Sequence, residues 1–193
     1  MKKLMVVLVI TALGFTPSKA QDIKIGAKAG LNLSTLTGDI DNAKSRTSFH
    51  LGGVVEIPVS ETFSVQPELL YSAQGRKSKT DDDEKEKLDY LNVPVMAKFY
   101  PMENLKGLSI EAGPQLGFLL SAKGEDNGET IELKDGTKSI DVGLNFGVGY
   151  KMESGVNFSA RFNLGLSDIN DFPDDPDKLK NSVIQISVGY FFY

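Results

Sequence analysis

His50 is the only histidine among 193 residues, and the chain has no cysteine. Proton transfer near neutral pH would therefore rest on one imidazole, while thiolate nucleophiles, disulfides and sulfur-ligated metal centres are excluded. A hydrolytic site on His50 needs a nucleophile and an orienting acid beside it. Ser48 is close in sequence, but nothing nearby marks an acid or an oxyanion hole, so His50 reads first as a hydrogen-bonded structural residue. Carboxylates cluster in Asp81-Asp82-Asp83-Glu84 and again at Asp168, Asp171, Asp174, Asp175 and Asp177. Such runs suit calcium, yet neither has the ligand-and-glycine spacing of an EF-hand, and both read as solvated loop tips. Gly147-Val148-Gly149 is too short for a phosphate loop. No metal and no cofactor is expected. A last set of charges, Lys24, Lys28, Glu56, Glu68, Lys98, Glu111, Asp141, Lys151 and Arg161, stands singly among apolar neighbours, and its meaning depends on the elements that carry it.

Those elements alternate with period two. Ile23, Ile25, Ala27, Ala29, Leu31 and Leu33 share one parity, and Asp22, Lys24, Gly26, Lys28, Gly30, Asn32 and Ser34 the other. This is the repeat of a strand. The same split recurs over 49–57, 63–73, 91–99, 108–120, 140–152, 156–166 and 184–192, which predicts eight strands. Connections alternate too: 60–62, 101–107 and 153–155 are short, whereas 35–48, 75–87, 121–138 and 168–181 are long and polar. Short turns at one end and long loops at the other, with an even number of antiparallel strands, predict an all-β, up-and-down meander closed into a transmembrane β-barrel.

Volume decides which parity faces inward. The apolar parity is mostly large aliphatic and aromatic side chains, too bulky for an eight-stranded interior that side chains only just fill. The other parity is rich in Gly, Ser, Asn and Gln and fits. Apolar side chains outside and polar ones inside imply lipid as the outer solvent; a soluble lipocalin-like barrel or a two-sheet sandwich stays as a minor alternative with the opposite sense. Running the strands alternately up and down sorts Phe63, Phe99, Tyr150, Phe158, Tyr190 and Phe192 to the short-turn end and Phe49, Tyr71 and Phe118 to the other, as two aromatic girdles. Pro67, Pro94 and Pro114 fall inside strands, where bulges or local breaks are expected because each removes a ladder donor.

The single charges then point into the lumen. Counting across the turn after Pro101 sets Lys98 opposite Glu111, with Glu68 and Arg161 at comparable height. Buried charges persist only when paired, so Glu68, Lys98, Glu111 and Arg161 are expected to form an ionic plug; a charged conduction path is the alternative. The glycines of 147–149 read as room in a narrow lumen.

The N-terminus reads as an export signal. Lys2 and Lys3 precede the apolar run Leu4 to Phe15, and Ser18-Lys19-Ala20 offers small residues for cleavage after Ala20. The run is too short to span a bilayer as a helix. The expected organisation is a signal peptide over 1–20 and one barrel domain over 21–193. Removing Lys2, Lys3 and Lys19 leaves 18 basic against 26 acidic residues, a balance that argues against a nucleic-acid partner.

Several segments carry a family resemblance. Gln66-Pro67-Glu68-Leu69-Leu70-Tyr71-Ser72, Tyr90-Leu91-Asn92-Val93-Pro94-Val95-Met96-Ala97-Lys98-Phe99, 112–123 and Gly147-Val148-Gly149-Tyr150 resemble recurring segments of the PorT-like outer-membrane β-barrel family of Bacteroidota. The ending Val188-Gly189-Tyr190-Phe191-Phe192-Tyr193 is similar to the C-terminal assembly signal of OmpX-like small barrels. The resemblance implies residence in the outer membrane among its lipids, assembly by the barrel-insertion machinery, and prolines as family features. It does not imply one function: the namesake serves a secretion pathway, and an envelope partner is left open. The expected role is a non-enzymatic barrel that displays polar extracellular loops and supports an envelope or secretion complex. The alternatives are a lipid-modifying enzyme using His50 and a narrow pore.

Overall fold

A computed structural model describes residues 23–40, 43–79, 84–101, 107–126, 129–172 and 176–192. The export signal lies outside the described residues. Nine strands follow in order: β1 Lys24–Gly38, β2 Ala43–Pro58, β3 Phe63–Ser78, β4 Lys85–Phe99, β5 Leu108–Asp126, β6 Glu129–Glu132, β7 Ile140–Lys151, β8 Val156–Gly165 and β9 Leu179–Phe192. Each barrel strand pairs antiparallel with its neighbours, β4 with β5 and β9 with β1, so eight strands close on themselves and β6 hangs on β5.

The pairing also fixes the stagger. The ladder partners Tyr150, Phe158, Val188, Ala29, Leu51, Tyr71, Leu91, Phe118 and Ile140 run once round the wall and return to β7 ten residues from the start. With a rise of about 3.3 Å per residue and about 4.8 Å between strands, this stagger tilts the strands by roughly 40° to the axis.

The alternation of residue types becomes an alternation of surroundings. Ile25, Leu31, Ile110, Val148 and Ile186 are about half exposed on the outer wall, while Asn32, Ser72, Asn92, Asn145 and Arg161 are buried inside. An apolar belt of this extent far exceeds the few hundred Å² that a soluble monomer exposes. Phe99, Tyr150, Phe158, Tyr190 and Phe192 lie exposed toward the short-turn end, with the rings of Tyr190 and Phe192 edge to face at 5.6 Å. Phe49 and Tyr71 pack with ring centroids 5.7 Å apart toward the other end.

Two expectations change. Three of the four segments read as long loops are built in good part of strand: β1 runs on to Gly38, β2 starts at Ala43, β3 reaches Ser78, β4 starts at Lys85 and β5 continues to Asp126 before turning back as β6, whereas in 168–181 strand begins only at Leu179. The expected eight-stranded ring stands, and β6 is an added short hairpin partner outside it. The prolines are not the sites of register shifts. Pro67 faces Val95, Pro94 faces Gln115 and Pro114 faces Leu144 with the count in phase on either side. The shifts fall instead between Ser45 and His50 and between Asp89 and Tyr90. At Gly113, beside these prolines, a Cβ would lie 2.8 Å from the Val95 carbonyl carbon, so a residue without one lets β4 and β5 approach.

Candidate functional site

The inward parity builds three layers up the lumen. Nearest the short turns is a network of ion pairs. Arg161 on β8 donates from Nη1 and Nη2 to the two Glu68 oxygens on β3, at 2.8 and 2.7 Å, and from Nε to Glu111 Oε2 at 2.8 Å. Lys28 Nζ reaches Glu68 Oε1 at 2.9 Å. Lys98 sits 3.2 Å from Glu111 and donates to Gln66 Oε1 at 3.1 Å. Below it, Glu56 accepts from Lys151 and from the Tyr100 hydroxyl, at 2.5 and 2.9 Å, and Lys151 lies 5.0 Å over the Tyr100 ring. Glu68, Lys98, Glu111 and Arg161 thus stand in one connected network, joined by Lys28, Glu56, Lys151 and Tyr100. Bidentate geometry and full pairing are the conditions under which charges persist out of water. Gly147 makes room: a Cβ there would lie 2.7 Å from Arg161 Cγ.

The middle layer is uncharged. His50 is 1% exposed, with Nδ1 2.8 Å from Asn32 Oδ1 and Nε2 2.9 Å from Ser187 Oγ. Asn32 Nδ2 donates to the carbonyl oxygens of Phe49 and Ala73, which fixes the amide with Oδ1 toward the ring. Nδ1 therefore carries the imidazole proton, and Nε2 accepts from the Ser187 hydroxyl. Across the lumen, Asn163 donates to Asn145 and Asn145 to Gln115, at 3.1 and 3.2 Å. Asp141, at the outer end of β7, accepts from Asn181 Nδ2 at 2.9 Å and from Ser167 at 2.7 Å. Lys24, at the start of β1, is half-buried.

The top layer is apolar. Leu36, Leu88, Tyr90, Leu119, Ala122 and Ile169 form a buried cluster with Leu133 and Leu179 packed against it. Ile169 is brought there by the connection after β8. Its N–H donates to Leu179 O and its carbonyl accepts from Lys138 N–H, both at 2.8 Å, and Thr137 bridges to Asn170. The Asp168 carboxylate organises this lid: Oδ1 accepts from the Asn170 and Leu179 amides and Oδ2 pairs with Lys138 Nζ at 2.7 Å. The Lys138 ammonium and these amides hold the Asp168 carboxyl down at about 2. Asp168 is thus a loop organiser, while Asp81, Asp82, Asp83, Asp174 and Asp175 lie outside the described residues. Among the described residues no group of three or more His, Asp and Glu could hold a metal ion.

Parity reasoning marks the charges but misses the contacts of His50 and the apolar cap. Ser187 lies 137 residues from His50, and only closure of the barrel joins them. The cap was signalled by Leu88, Tyr90 and Leu119 on the inward parity.

A lipid-facing outer wall around a filled polar lumen defines a membrane β-barrel of the outer-membrane kind. Residues 19–171 match the outer membrane protein β-barrel domain family, and the chain belongs to it. Among solved structures, the fold is similar to Neisserial surface protein A, with a TM-score of 0.59 at 13% identity, covering 89% of this chain and 100% of that one. It is also similar to Ail, the attachment invasion locus protein of Yersinia pestis, with a TM-score of 0.54 at 15% identity and the same coverage. No curated protein matches the chain in sequence.

Proposed function

We propose that this outer-membrane barrel is a closed, non-conducting and non-enzymatic protein of the PorT-like kind. It is exported by a leader cleaved after Ala20, is inserted by the barrel-insertion machinery, and works through what it holds outside the membrane. The observation that carries this reading is the filling of the lumen at three levels by the Arg161 network, the His50–Asn32 layer and the Tyr90 cluster. An ion crossing it would have to break a doubly paired guanidinium, at a cost of several kcal/mol.

Ser187, His50 and Asn32 do stand in the order of a nucleophile, a base and an orienting group. All three are buried, so the lumen wall keeps a lipid ester from Ser187 Oγ, and the arrangement reads as packing. The surface left for function is the sheet that β2 to β6 raise beyond Phe49 and Tyr71, which supports an envelope or secretion complex.

The test joins conductance with capture. In planar bilayers the folded barrel is expected to show no single-channel events, and crosslinking from native outer membranes to recover a stoichiometric envelope component. Steps that change when Lys98 or Glu111 is neutralised would overturn closure. Recovery of lipid and insertion machinery alone would overturn the complex.

A further inference from the structure

One buried carboxylate of the lumen has no basic partner. Glu56, Glu68 and Glu111 are each paired with a lysine or an arginine. Asp141 is 5% exposed, and among the described residues no base acts on it. Both of its oxygens accept, Oδ1 from the Ser167 hydroxyl at 2.7 Å and Oδ2 from Asn181 Nδ2 at 2.9 Å, which is the bonding of an ionised carboxylate. Neutral donors alone do not remove the cost of holding that charge out of water.

The groups round Asp141 are short of partners in the same place. Asn163 and Asn181 are buried, and the Oδ1 of each has no hydrogen-bond partner. Two glycines explain where these amides lie. Gly143 and Gly165 are ladder partners on β7 and β8, so the lumen wall carries no side chain there. Asn163 leans into the gap, its Oδ1 3.4 Å from where a Cβ on Gly143 would stand, and Gly143 is two residues along the inward parity from Asp141. Asn181 reaches in past Gly165 from β9, and the same Nδ2 that meets Asp141 lies 3.3 Å from the Tyr90 hydroxyl oxygen on β4. Half a turn of the Asn181 amide brings its partnerless oxygen to that point, about 3 Å from Asp141 Oδ2 and from Tyr90 Oη. Oxygens that far apart match neighbouring ligands in a shell at roughly 2.3–2.6 Å from a calcium ion. A water would satisfy the amides and leave the charge uncompensated, whereas a cation answers both.

We propose that Asp141 Oδ2 and the Oδ1 atoms of Asn163 and Asn181, with the Tyr90 hydroxyl oxygen, hold a calcium ion between the Asn145 layer and the Tyr90 cap. The set is all oxygen, which selects a hard cation. Calcium takes neutral amide and hydroxyl oxygens in irregular geometry, whereas magnesium gives up its waters reluctantly. With a single carboxylate the affinity falls on the order of 10⁻⁴ to 10⁻³ M, so only a calcium-rich medium fills the site. Ser167, half-exposed beside Asp141 at the outer end of β7, marks the side of entry. The ion ties β4, β7, β8 and β9 together beneath the lid that Asp168 organises, so the connections beyond it are firm in calcium and looser when calcium is withdrawn. The inference is independent of whether a protein complex forms.

The test uses the folded mature chain in phosphatidylcholine nanodiscs. Calcium binding is read by titration calorimetry, and thermal unfolding is followed in calcium and in magnesium. One calcium ion per chain is expected to bind saturably, and Asp141→Asn to weaken it by about tenfold or more. Glu129→Gln/Glu132→Gln removes two exposed carboxylates of β6 and leaves that binding unchanged. Asn181→Asp separates a cation site from a simple hydrogen bond. It puts oxygen at both ends of the side chain and adds a charge, so in a cation site it tightens calcium about tenfold, and calcium raises its unfolding temperature more than the parent's. If Asn181 only donates to Asp141, the same change sets two carboxylates against each other and calcium does not recover the loss. Heat-modifiable migration, run with calcium present, shows which variants fold. No saturable binding by the parent up to roughly 10 mM calcium, equal binding of magnesium, or unchanged affinity in folded Asp141→Asn would overturn the proposal. So would an Asn181→Asp chain that gains no affinity or fails to fold in calcium.

Discussion

Arg161 holds two carboxylates at once and is buried. Truncating one member of a buried charged network is worse than removing the network, because the surviving charges stay desolvated. Arg161→Met should therefore lower the unfolding free energy in detergent–urea titrations by about 3–5 kcal/mol. Adding Glu68→Leu should restore part of that loss, since only the Lys28 ammonium and the Gln66 amide then lose their Glu68 partner and Glu111 keeps Lys98. A double variant as weak as the sum of the two single changes would show that the pair is not coupled. Lys98 and Glu111 can be placed face to face from sequence by counting across a short turn. The Arg161–Glu68 contact spans 93 residues and needs the stagger of the closed wall, which no local pattern carries.

Strand extents were less legible than strand identities, for a physical reason. Alternation is written into a sequence only where one face meets lipid and the other the lumen. Beyond the girdle and the Leu88–Ala122 cluster neither face is set against lipid, so Lys44-Ser45-Arg46, Arg76-Lys77-Ser78 and Lys85-Glu86-Lys87 have no apolar beat although each is paired strand. Arg76 and Glu86 even face each other as an ion pair there. The lid was hidden in the same way, since Ile169 is one apolar residue in a polar connection, and its burial depends on Asp168. Because the folded carboxyl of Asp168 titrates at about 2, below the ordinary value of about 3.9, its ionised form is favoured by folding. That contribution is complete above the ordinary carboxylate range and fades as the pH falls through about 2. Hydrogen exchange of the Asn170 and Leu179 amides should thus be slow near neutrality and speed up selectively under strong acid. Asp168→Asn should exchange quickly at neutral pH with the barrel strands still protected. Equal protection in the variant and the parent would remove Asp168 from the lid.

The molecule is inside-out relative to a soluble domain, and this inversion sets the sign of mutational effects. In water, replacing a half-exposed isoleucine by arginine is harmless or solubilising. In this chain Ile186 sits mid-strand on β9, 58% exposed, beside Leu31 and Ala160 on its neighbours, with tilted strands and girdles at both ends placing it in hydrocarbon. An arginine there must carry its charge into lipid or drag water in, which in outer-membrane barrels costs about 2–4 kcal/mol at the midplane and falls toward zero near the interfaces. Ile186→Arg should therefore destabilise the folded barrel in bilayers by that amount, whereas Ile25→Arg, next to Phe192 at the short-turn end, should change it far less. The depth dependence is the informative part. A soluble barrel predicts no penalty at either position, and a sandwich with its apolar face buried predicts penalties that track packing. Only a lipid solvent ranks the two positions by their distance from the girdles, so refolding free energies for substitutions stepped along β9 from Tyr190 through Val188 and Ile186 to Ile184 would trace the hydrocarbon profile directly.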